Sequence, residues 1–121
     1  MTTPTLNWFH WTIDNYIITF HISSDARAIC IINLYQTGKR VADIMFFANG
    51  TGTHDYNVYG TNTLNPWASL TLHMEELPNI IDLLRNEKPI YLHVPWGKPS
   101  GFRPTLTTSQ EPVGENETSN P

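Results

Sequence analysis

Three histidines, His21, His73 and His93, stand at odd positions in segments whose even positions are apolar. A strand turns successive side chains to opposite faces, so all three imidazoles can leave one side of a sheet, where they would hold zinc or titrate near neutral pH. Zinc asks for three or four ligands, and the chain has neither a His-Glu-x-x-His run nor paired cysteines. The metal site on His21, His73 and His93 therefore stands as the alternative, and no cofactor is expected. Cys30 lies between Ala28 and Ile32. A thiol in apolar surroundings has a raised pKa and is inert, so Cys30 reads as packing even though His10, His21 and His54 are available to activate it. Asp14, Asp25, Asp43 and the His54-Asp55 pair would supply acid-base chemistry only if the fold gathered them into a cleft. Asn49-Gly50-Thr51-Gly52-Thr53 lacks the Gly-Lys-Ser/Thr ending of a phosphate loop. Binding is favoured over catalysis.

The tryptophans are the stronger binding candidates. The positions of Trp8, Trp11, Trp67 and Trp96, on odd numbers or in loops, place some of them outside the even-numbered layer. Large aromatics outside a core are frequent interface anchors. Together with Tyr91 and Asp43 they are the expected interface or pocket residues; the competing reading is a second small core beneath the N-terminal arm and the long central loop.

The elements that must position these residues follow from periodicity. Tyr16, Ile18, Phe20 and Ile22 alternate with Asn15, Ile17, Thr19 and His21, and Ser23-Ser24-Asp25 then supplies turn chemistry. Arg27 to Tyr35 and Arg40 to Ala48 read as a hairpin whose three-residue loop pairs even positions with even ones. That register puts Ala28, Cys30, Ile32, Leu34, Ala42, Ile44 and Phe46 on one face, and Asn33, Tyr35, Val41, Asp43 and Met45 on the other. Asn7 to Ile13 reads as a strand or an anchoring arm, and residues 49–66 as a long loop with room for a short strand. Trp67 to Met74 alternates again. Leu77, Ile80, Ile81 and Leu84 then change the period to that of a helix face, with Pro78 tolerated near its start and Pro89 ending it. Ile90, Leu92 and Val94 form a further strand, and Phe102 to Leu106 a last one that Pro104 confines to an edge.

The chain has 121 residues, a net charge of −4 and one cysteine. That length suits one domain. Glu111, Glu115 and Glu117 follow the last apolar run, which leaves seven basic and eight acidic residues in the body. Such a body has no field to neutralise several phosphates, so a general nucleic-acid binder is disfavoured. Single-strand binding through stacked aromatics is a third alternative that lacks its usual basic groove. No apolar run is long enough to span a membrane. One unpaired cysteine and the absence of a signal-like N-terminus point to the cytoplasm.

Leu77 to Tyr91 followed by Thr107-Thr108-Ser109-Gln110-Glu111-Pro112-Val113-Gly114-Glu115 resembles the C-terminal part of small bacterial proteins. The resemblance covers about a third of the chain. It implies a bacterial cytoplasmic protein, and it transfers no activity and no functional residues. It also raises the expectation that the Glu111 to Glu115 segment can add to an exposed sheet edge.

The expected fold is α+β: a mainly antiparallel, curved sheet forming a partial barrel or sandwich, with one helix near the C-terminus. Residues 1–106 are expected to form the domain and 107–121 an acidic, mobile tail. The expected function is a non-catalytic interaction or regulatory module, most simply a homo-oligomer. A small-molecule binder or enzyme using the mixed sheet face is the alternative.

Overall fold

In a computed structural model that describes residues 7–22, 28–48, 54–98 and 100–108, alternating apolar side chains are paid out along two sheets. The elements are β1 (Trp8–Ile13), β2 (Asn15–Phe20), β3 (Cys30–Gln36), β4 (Lys39–Phe47), β5 (Asp55–Tyr59) and β6 (Trp67–His73). A 3-10 turn, Met74–Glu76, leads into α1 (Leu77–Asn86), followed by β7 (Ile90–Pro95) and β8 (Thr105–Thr108). One sheet has the order β1-β7-β8 and the other β2-β3-β4-β6-β5. All pairings are antiparallel except β4 with β6. The fold is α+β, with a mostly antiparallel strand content.

Asp14 joins the two sheets. Its N–H donates to the Tyr35 carbonyl at 3.0 Å, and its carboxylate accepts the Thr37 N–H at 2.7 Å. β1 and β2 thus form one ribbon that passes from the first sheet to the second. The three-stranded sheet has β1 and β8 as its edges, and the five-stranded sheet β2 and β5.

The β3–β4 hairpin reaches its expected register by a different route. Gln36 pairs with Lys39, so the loop has two residues, and Thr37 and Gly38 both have positive φ, 52° and 78°. This is the geometry of a type I′ turn, which by itself would pair odd with even positions. A register shift between Leu34 and Tyr35 makes Val41 the extra residue and restores the pairing of Leu34 with Ala42. Such a bulge bends and twists its strand. Val41, expected on the mixed face, is instead buried.

Cys30, Ile32, Leu34, Ala42, Ile44, Phe46, Ala68, Leu70, Ile90, Leu92 and Val94 build the even-numbered core. β1 has the opposite parity: Trp11 and Ile13 are buried and Phe9 packs against them, because Asp14 interrupts the alternation between the strands. Even-numbered burial also fades along β2, where Tyr16 and Ile18 are half-buried and Phe20 and Ile22 are exposed. In α1 the helix-spaced Leu77 and Leu84 are buried, with Ile80 and Ile81 packed beside them. The short strand that the central loop left room for is β5, and the last strand extends to Thr108, two residues beyond the expected domain end. The Ser23-Ser24-Asp25 turn, the Asn49 to Thr53 loop and the tail from Ser109 lie outside the described residues.

Candidate functional site

The six expected binding residues occupy four separate places. Trp11 belongs to the core, stacked on Phe9 with ring centroids 6.0 Å apart, so it is no interface anchor. Trp8 and Tyr91 do share a surface, the outer face of the three-stranded sheet, where Trp8 meets the Phe102 ring edge-on at 6.1 Å. Trp67 and Asp43 lie on the outer face of the five-stranded sheet. Trp67 stacks on Tyr59 at 4.6 Å, and Asp43 accepts a hydrogen bond from the Asn33 amide at 2.5 Å with the Arg40 Nε 3.7 Å away. Cross-strand partners therefore occupy both. Trp96 follows β7, half exposed, beside Tyr56, Val58 and Lys98.

The three histidines of the metal alternative are also separated. His93 lies on the outer face of the three-stranded sheet, while His73 lies on β6 and His21 just beyond β2. The actual pairs are different. His10 faces His93 across β1 and β7, with ring centroids 4.7 Å apart, and His54 meets His73 at 4.6 Å. Burial, and then the neighbouring His10, holds the His93 imidazole below its usual pKa. His54 Nε2 lies 3.0 Å from a Glu76 oxygen. Among the described residues no three His, Cys, Asp or Glu side chains are grouped to hold a metal ion. Burial raises the Cys30 thiol, which keeps it protonated and unreactive.

The surface that sequence reasoning missed is the open side of β2. This strand pairs only with β3, and among the described residues no strand lies on its other side. The His21 N–H donates to the Ile29 carbonyl at 2.9 Å, which makes the odd positions of β2 the bonded ones near this end. In an antiparallel ladder the alternate positions then turn their N–H and C=O groups away, here those of Ile18 and Phe20. Large apolar side chains accompany these backbone groups: Ile17 is 50% exposed, Phe20 53% and Ile22 99%. Residues 15–22 contain no Lys, Arg, Asp, Glu or Pro. Natural edges are usually blunted by such residues. The available signal was a run of eight without charge, apolar at both parities through Ile17 and Ile18; what the sequence lacked was strand order.

Of the remaining edges, β1 also pairs on one side only and is likewise uncharged, but its Trp11 and Ile13 are buried, and β5 and β8 are short. β5 is short and carries Asp55, whose carboxylate accepts a hydrogen bond from the Lys98 ammonium at 2.7 Å and is thereby held below its usual pKa. β8 has four residues and follows Pro104. Comparisons of the chain with protein-family models, with curated proteins and with solved structures found no match.

Proposed function

We propose that the protein is a non-catalytic interaction module that self-associates by pairing β2 with β2 of a second copy. The observation that carries this reading is the unguarded edge: outward backbone groups at Ile18 and Phe20 beside exposed Ile17, Phe20 and Ile22, with no charge over residues 15–22. Antiparallel pairing about a two-fold axis places like segments against each other, and it is tolerated here because the segment brings no like charges together. It continues the five-stranded sheet across the dimer and satisfies the free backbone groups. The face around Trp8 and Tyr91 is a secondary contact surface for a protein partner. The cytoplasm, and a bacterial one, is the setting favoured by the single cysteine and the C-terminal resemblance.

Sedimentation of the full chain over a concentration series tests the reading. The wild type is expected to be dimeric at about 10 μM and above, whereas Ile17→Lys sediments as a monomer with unchanged circular dichroism and Asn57→Lys, on β5, remains dimeric. A wild type that is monomeric throughout, or an Ile17→Lys variant that still dimerises, overturns it.

A further inference from the structure

Between β5, an edge of the five-stranded sheet, and β8, an edge of the three-stranded sheet, lies a cleft of about 570 Å³. This lies within the range of small-molecule sites, about 300–1,000 Å³. Its walls are apolar: Leu70 and Leu72 from β6, Ile80 from α1, Leu92 from β7 and Leu106 from β8. Leu92 is fully buried at the bottom, whereas Leu72, Ile80 and Leu106 are only partly covered.

Polar groups at this cleft are unequally matched. Glu76 is engaged by His54 at 3.0 Å and Asp55 by Lys98 at 2.7 Å. Arg103, at the lip, is exposed and has no carboxylate partner among the described residues. The Tyr56 hydroxyl, on the β5 wall, is buried without a hydrogen-bond partner. A buried hydroxyl without a partner destabilises the fold. Of the two rim carboxylates, Asp55 is paired with an ammonium and Glu76 touches an imidazole nitrogen, while among the described residues the Arg103 guanidinium and the Tyr56 hydroxyl have no such partner beside the apolar wall.

We infer that this cleft binds a small apolar monocarboxylate, its hydrocarbon body against Leu72, Ile80 and Leu106 and its carboxylate on Arg103 and the Tyr56 hydroxyl. Guanidinium suits a carboxylate because its planar donors match the two oxygens. An amine of the same chain length would meet Arg103 with like charge, and a neutral alcohol would forgo the ionic contact.

The site is independent of β2, so the monomeric Ile17→Lys variant should bind as the wild type does; loss of dimerisation and loss of binding are separate failures. Calorimetric titration of the full chain with decanoate, decanol and decylamine, all below their micellar concentrations, is paired with amide spectra. Decanoate should bind one per chain, about tenfold or more tighter than decylamine, and shift the amides of Leu72, Ile80 and Leu106. Arg103→Gln should weaken decanoate about tenfold. Tyr56→Phe should weaken it about threefold while raising the melting temperature of the free protein, because the unmatched hydroxyl is gone. Absent binding, equal affinity for decanoate and decylamine, or unchanged affinity in Arg103→Gln overturns the assignment.

Discussion

The two ends of the five-stranded sheet are finished in opposite ways. At β5 the strand is short, its Asp55 is bound to Lys98, and Asn57 and Tyr59 share its outer face. At β2 the strand is longer, uncharged and bordered by exposed Ile17, Phe20 and Ile22. Solvation of the whole sheet cannot account for this, since both strands face the same water. A charged edge gains nothing from a second strand, because pairing would strip water from its ions; an apolar edge gains backbone bonds and burial together. The contrast singles out β2 as the side built to be covered.

The first way to break the comparison is to test whether β2 is merely a frayed piece of core. Ile32→Ala, on the neighbouring β3 and fully buried, should cost about 2–5 kcal/mol in urea denaturation through transfer and cavity terms. Ile17→Ala, measured in dilute monomer, should cost less than about 0.5 kcal/mol. Similar losses would make Ile17 a stability residue. At the level of assembly, Phe20→Lys should weaken dimerisation about 100-fold in sedimentation, because it places a charge between the paired edges.

The converse is to remove the protection at β5. Asp55→Ile combined with Lys98→Ala should convert dimers into larger assemblies visible by light scattering, since a molecule with two open edges no longer closes. The smallest effect concerns pH. His93 is held neutral by burial and by His10, so it binds a proton more readily in the unfolded chain. Its contribution to stability is complete above the ordinary histidine value of about 6.5 and declines as pH falls through that value towards the lower folded one. Urea midpoints at pH 7.5 and 5.5 should differ less in His93→Gln than in wild type, and this variant should leave β2 pairing intact.

Alternation made much of the fold legible. Ile32, Ile44, Leu70 and Leu92 are buried as their parity demands, because a slip of one residue would expose a whole apolar face. Parity was insufficient where the backbone counts differently. The two-residue turn at Thr37–Gly38 and the bulge at Val41 cancel, leaving the register right for a reason local pattern does not reveal. At Asp14 the phase reverses, so Trp11 enters the core instead of leaving it. The candidate site was less legible still. Whether Ile17 is covered depends on which strands stand beside β2, a long-range property, and the cleft joins Tyr56 to Arg103 across 47 positions that share no sequence pattern.

Amide hydrogen exchange at Ile18 and Phe20 measures the state of the open edge itself. Pairing of β2 with its counterpart predicts that both amides are protected at concentrations where the protein is dimeric, and that protection disappears on dilution and in Ile17→Lys. Rapid exchange of both amides in a solution that sedimentation proves dimeric would contradict the account and place the contact elsewhere.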